Sequence, residues 1–226
     1  MNTGTRRTRV KVCGLTREED VVHTVRAGAD AVGFVLYPPS PRYVPPQRAR
    51  ELARHLPPFV TPVLLFVNAS PHEVAQGLEA VPNALLQFHG DETVEECLRF
   101  QRPYLRAARI PLGDGAGEFD LLKYAHDNAD AQAILLDAQV QGYGGGGHAF
   151  DWTAFNWSHP QLNASDRLVL SGGLTPANVA DGIRLARPWA VDVSSGVESA
   201  KGIKSHERID QFMAAVRQAD DLTDRI

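Results

Sequence analysis

Short apolar runs and amphipathic stretches take turns along this chain. The runs at Val10–Cys13, Ala31–Val35, Thr61–Val67, Ala84–Phe88, Tyr104–Ala108, Ala133–Leu136, Arg167–Leu170 and Trp189–Val193 predict strands. Helical patterns fall between and after them, near Glu18–Ala27, Gln47–His55, Pro71–Glu79, Thr93–Gln101, Phe119–Asn128, Trp152–Asn156, Pro176–Arg187 and His206–Ala219. Strands that alternate with helices imply right-handed crossovers and a parallel sheet. Eight such units predict an α/β fold, a single (β/α)8 TIM barrel whose eight parallel strands close on themselves. Ser70-Pro71 and Thr175-Pro176 each place a cap donor before proline at a first helical position. No linker rich in Gly, Ser or Pro splits the chain. The expected organisation is a disordered polar tail over residues 1–8 and one barrel domain over 9–226.

Composition narrows the class. The chain has 226 residues, 43% of them apolar and 22% charged, enough to bury a full core in a soluble globular protein. The net charge of −4, with no basic run, argues against a nucleic-acid partner. Two cysteines, Cys13 and Cys97, are too few for a disulfide framework or a multi-cysteine metal cluster, which fits a reducing, cytoplasmic location. Met1–Arg9 lacks the apolar core of a secretory signal, and no apolar stretch approaches the roughly 20 residues of a membrane helix. No nucleic-acid and no membrane partner is expected; the two turns after the last strands, Gly172-Gly173 and Ser194-Ser195-Gly196, point instead to a small phosphorylated substrate. Monomer and homodimer both remain open.

The candidate chemistry lies at strand ends, where barrel enzymes carry their active groups. Cys13 ends the first strand before Gly14, and Lys11, two residues back, shares its face. A cation beneath a thiol favours thiolate, the reactive form, and Asp192 on the last strand is placed to pair with Lys11. Cys97, on a helical pattern beside Leu98, reads as core. Asp137 ends the sixth strand, and a glycine run, Gly142–Gly147, follows it in place of a helix. A carboxyl at a barrel mouth can be tuned to donate a proton. Gly172-Gly173 and Ser194-Ser195-Gly196 follow strands seven and eight, the usual place of a phosphate clamp in barrels, and the first pair is expected to open a helix whose N-terminus faces the anion. Arg42, in the stiff loop Tyr37–Pro46, is either a solvated surface cation or a fork for a carboxylate. His89, ending the fourth strand, is either a donor to substrate or a rim histidine. No histidine spacing suits a metal.

Together these residues resemble the phosphoribosylanthranilate isomerase family of tryptophan biosynthesis. The matching segments, in family order, are VKVCGLTREED, GADAVGFV, SPRYV, LQFHGDE, ILLDA, GYGGGGHAFDW, LSGGLTPANV and VDVSSGVE. The resemblance implies an Amadori rearrangement of N-(5-phosphoribosyl)anthranilate to 1-(2-carboxyphenylamino)-1-deoxyribulose 5-phosphate, with no cofactor and no metal. It implies Asp137 as general acid at the ring oxygen and Cys13 as general base at C2′. It further implies Arg42 on the anthranilate carboxylate, the glycine and serine loops on the phosphate, and His89 and Asp192 in the pocket wall. One departure stands out: His148 occupies the place of the family's usual loop lysine. Two rivals are weighed. The histidine-pathway aminoaldose isomerase is expected to carry Asp where Cys13 stands. A non-catalytic phosphate-binding barrel is expected to lack the thiol or the acid.

Overall fold

The computed structural model describes residues 7–139, 149–157, 159 and 168–223. The strands are β1 (Arg9–Cys13), β2 (Ala31–Val35), β3 (Thr61–Phe66), β4 (Leu85–Phe88), β5 (Tyr104–Ile110), β6 (Ala133–Ala138), β7 (Leu168–Leu170) and β8 (Ala190–Val193). They pair in parallel in chain order and close into a barrel where β1 meets β8. Closure is in register across four residue pairs, Arg9 with Ala190 through Val12 with Val193. The helices are α1 (Glu18–Ala27), α2 (Pro46–Ala53), α3 (Pro71–Ala80), α4 (Val94–Leu98), α5 (Leu121–Asp127), α6 (Val179–Ala186) and α7 (His206–Thr223).

Side-chain alternation along each strand sorts the apolar residues into an outer and an inner set. Outward residues such as Val10, Val12, Phe34, Leu64, Phe66, Leu86, Tyr104, Ile134, Leu136 and Val191 form the main core under the helices. Inward residues form two smaller clusters. Val63, Leu105, Ala107, Ala133, Leu135 and Val169 plug the lower barrel, while Cys13, Val35, Leu65 and Val67 line the upper wall. Between them the barrel holds polar groups: Lys11, Gln87, Asp137, Ser171 and Asp192, all buried.

Several expectations are corrected. The predicted helix at Trp152–Asn156 is a three-residue 3-10 turn, Trp152–Ala154, capped by Asp151. The helix expected from Thr93 to Gln101 stops at Leu98, and Gln101 takes a left-handed φ of 51° that no helix interior allows. The Pro176 helix starts only at Val179: a turn over 176–178 intervenes, with the Asn178 amide oxygen accepting from the Thr175 N–H. Thr175-Pro176 is therefore not the cap. Ser70 is, with a full capping box to Glu73. Thr8, assigned to the tail, is buried, and its N–H and hydroxyl both donate to Asp220 on α7. A small antiparallel hairpin, β9 (Glu198–Ala200) with β10 (Ile203–Lys204), follows β8 unannounced. The glycine run, His148 and Arg167 lie outside the described residues.

Candidate active site

Cys13 and Asp137 stand at the same end of the barrel. Cys13 is the last residue of β1 and Asp137 the penultimate residue of β6, three strands away around the ring. Both side chains belong to the inward set and both are buried. The space for the thiol is made by Gly33 on β2, whose missing Cβ would lie 2.6 Å from the sulfur.

Beneath the thiol, Lys11 Nζ donates to Asp192 Oδ1 at 2.8 Å, and Ser171 Oγ donates to Asp192 Oδ2 at 3.3 Å. The pairing expected of Lys11 and Asp192 is present. Its expected effect is not the one that prevails. Burial pushes the Cys13 thiol up, Lys11 and Lys204 pull it down, and Asp192 pushes it up again, so the thiol sits above its ordinary value. The main reason is burial of the thiol, and Asp192 adds to it by matching the charge of Lys11. Burial works against Lys11 too, but Asp192 and Cys13 outweigh it and hold the ammonium above its usual range.

Asp137 is held from two sides. Its Oδ1 accepts from the Ala138 N–H at 2.9 Å, and its Oδ2 lies 3.0 Å from His89 Nε2. Gln87 Nε2 lies 3.0 Å from His89 Nδ1. Both ring nitrogens of His89 are thus engaged, Nδ1 by Gln87 and Nε2 by Asp137. Of the two readings of His89, rim histidine or substrate donor, this contact adds a third use, orientation of the acid.

The two expected phosphate loops touch. Gly172 and Gly173 take φ of +74° and +67°, a left-handed pair that side chains resist. A Cβ on Gly172 would meet Ala138 N at 2.6 Å, and one on Gly196 would meet the Leu174 carbonyl at 1.8 Å. Ser195 and Gly196 lie in a 3-10 turn, Ser195–Val197. Because α6 begins at Val179, its N-terminus does not directly follow the glycine pair as expected; residues 174–178 lie between them. Ser194 Oγ donates to the Cys13 carbonyl at 3.0 Å, tying this loop to the thiol strand.

Arg42 is not a solvated cation. It is buried, and its Nε and Nη2 donate to both oxygens of Glu198 at 2.7 and 2.8 Å. Lys204 Nζ donates to the same carboxylate at 2.9 Å. Sequence reasoning missed Gln87, Glu198 and Lys204; Gln87 and Glu198 sit inside the motifs LQFHGDE and VDVSSGVE, while Lys204 carries no signal at all. Cys97 is fully buried, and burial pushes its thiol up to about 12, which fits its reading as core. A cavity of about 500 Å³ opens at the other end of the barrel, walled by Ala31, Val63, Leu85, Leu105 and Val169; neither Cys13 nor Asp137 lines it. Among the described residues, no group of three His, Cys, Asp or Glu side chains could hold a metal ion, and no helix is long and apolar enough to cross a membrane.

Residues 10–215 match the family model of N-(5'-phosphoribosyl)anthranilate isomerase. The chain belongs to that isomerase family. A phosphoribosylanthranilate isomerase from Dechloromonas aromatica is 58% identical over 215 residues, spanning 95% of this chain and 99% of the relative. The solved structure of phosphoribosylanthranilate isomerase from Thermotoga maritima superposes with a TM-score of 0.80 at 39% identity, covering 93% of this chain and 99% of that one. A further solved isomerase, in complex with reduced 1-(o-carboxyphenylamino)-1-deoxyribulose 5-phosphate, matches with a TM-score of 0.73 at 38% identity over the same shares. Phosphoribosylanthranilate isomerases are aldose–ketose isomerases of tryptophan biosynthesis, and the closed eight-stranded barrel found here is their fold.

Proposed function

We propose that this chain performs the Amadori rearrangement of N-(5-phosphoribosyl)anthranilate, with Asp137 as general acid and Cys13 as general base. The observation that carries the reading is the placement of these two inward, buried groups at one barrel mouth, with the acid clamped by His89 and Ala138. Asp137 gives its proton to the furanose oxygen as the C1′–O bond breaks, and the nitrogen lone pair forms the Schiff base. The Cys13 thiolate then removes the C2′ proton, leaving an enolamine that tautomerises to the ketone. No electrons leave or enter the substrate. One proton gained at the ring oxygen and one lost from C2′ give the enolamine; a further proton lost from O2′ and one gained at C1′ give the ketone. Asp137 and Cys13 reset by exchange with solvent.

The substrate is acidic at both ends, and each end has a candidate holder. The glycine pair Gly172-Gly173 and the turn Ser194-Ser195-Gly196 supply backbone for the phosphate. Arg42 supplies a guanidinium for the anthranilate carboxylate. Asp192 serves through Lys11, and His89 through Asp137. Gripping both ends fixes the ribose between acid and base, which is where much of the rate comes from in such a reaction.

Cys13→Ser and Asp137→Asn proteins test this reading. In a fluorescence assay following loss of freshly made phosphoribosylanthranilate, each should lose about 10²-fold or more in kcat while still binding a product analogue. Full turnover in both variants overturns the acid–base assignment. Activity confined to the histidine-pathway aminoaldose substrate would instead identify that related isomerase.

A further inference from the structure

Arg42 reaches the site from the loop between β2 and α2, and its stem lies against the turn that carries the thiol: a Cβ on Gly14 would sit 2.4 Å from Arg42 Cδ. Glu198 takes two of its three nitrogens, Nε and Nη2. Among the described residues Nη1 has no partner. An isolated buried Arg–Glu pair is neutral and would offer an incoming carboxylate little net charge. Here a second cation is added. Lys204, which faces Glu198 across the β9–β10 hairpin, has a side chain with no exposure, and its ammonium donates to Glu198 Oε1 at 2.9 Å and the Ser194 carbonyl at 3.0 Å. Its third contact is Ser194 Oγ at 3.4 Å. With every donor spent inside the protein, Lys204 does not reach a ligand itself. The three groups together carry one net positive charge, and the one side chain with an open edge is Arg42.

We propose that Glu198 and Lys204 are positioning residues for the substrate's carboxylate. Glu198 grips the guanidinium so that its Nη1 edge is presented to the ligand, and Lys204 supplies the charge that stops Glu198 from cancelling it. This rests on the assignment of Arg42 to the carboxylate, made above. A hairpin too short to register as a strand pattern thereby acts as the support of a specificity contact.

The test compares phosphoribosylanthranilate with its carboxylate-free counterpart, N-(5-phosphoribosyl)aniline, on wild type and on Glu198→Gln, Lys204→Met and Arg42→Met proteins. The quantity read is the ratio of kcat/KM for the two substrates. The expected result is that all three variants lose the preference for the carboxylate by tenfold or more, mainly through KM on the anthranilate substrate. Equal losses on both substrates for the Glu198 and Lys204 variants, with the preference abolished only in Arg42→Met, overturn the proposal and leave Arg42 in place. A preference that survives Arg42→Met removes both the proposal and the Arg42 assignment, without touching Cys13 or Asp137. If Glu198→Gln does not fold, Glu198→Asp, which keeps the charge at shorter reach, should show an intermediate loss confined to the anthranilate substrate; loss spread evenly over both counts against the proposal.

Discussion

At the scale of single residues the site turns on how much of each charge is already spent. Lys11 pulls the Cys13 thiol down, but burial and Asp192 leave it raised. With Cys13 as the proposed base, which must be deprotonated to act, kcat/KM should rise with pH as the thiol ionises. Replacing Lys11 by Met removes a downward pull and leaves Asp192 unmatched, both of which move the thiol further up. The rising limb of the pH–rate profile should therefore shift to higher pH in Lys11→Met, and an unmoved limb would show that Lys11 does not tune the thiol. Gly33→Ala offers a steric test, since the added methyl would overlap the sulfur; turnover should fall by about tenfold or more, as expected when a reacting group is displaced by an ångström. Cys13, Asp137 and the Lys11–Asp192 pair were legible in the sequence because they occupy strand ends or share a strand face, and strand period is written locally. Glu198 was not, because its meaning depends on Arg42, 156 positions away. The sequence equally could not tell that Arg42 is buried, since a loop arginine is solvated unless something folds over it.

Elements were read well where local chemistry decides them. Ser70 and Glu73 form a capping box at α3, with Ser70 N–H and hydroxyl on Glu73 Oε2 at 2.8 and 2.7 Å. Ser70→Ala should cost about 1 kcal/mol, read as a lower urea midpoint at constant m-value. Elements decided by tertiary contact were read less well. α4 ends early because the chain turns at Gln101 to reach β5, and α6 starts late because Asn178 is spent on the turn before it. The hairpin β9–β10 has five strand residues and no alternation, so only the buried charges it carries justify it. Burial pushes the Glu198 carboxyl up, but hydrogen bonds from Arg42 and the charge of Lys204 outweigh this and hold it below the usual carboxylate range. A depressed carboxyl stabilises the fold above its unfolded pKa, roughly 4.3, and that contribution fades as pH falls through the lower folded value. The acid limb of a stability–pH curve should thus be shallower in Glu198→Gln than in wild type, measured by urea unfolding between about pH 5 and 2.

Over the whole molecule the eight-fold alternation of strand and helix was enough to give the closed barrel, because parallel pairing and right-handed crossovers leave few other arrangements. What periodicity could not give is how the ends are fastened. Thr8 is tied to Asp220 by two hydrogen bonds, and Arg9 lies over the Trp189 ring at 3.4 Å beside the β1–β8 seam. Asp220→Ala should lower unfolding free energy by about 1–3 kcal/mol in urea while leaving kcat/KM for phosphoribosylanthranilate near wild type, because the bonds it removes lie far from the mouth. The seam has one more result, in the order of synthesis. A ribosome makes Lys11 181 residues before Asp192, so the sulfur is extruded long before the strand that completes its surroundings. Through that interval one flank of β1 stays unzipped, with Lys11 still waiting for its counter-ion. A nascent chain stopped short of Asp192 would hold Cys13 and Asp137 but lack the ion pair that lies beneath the thiol.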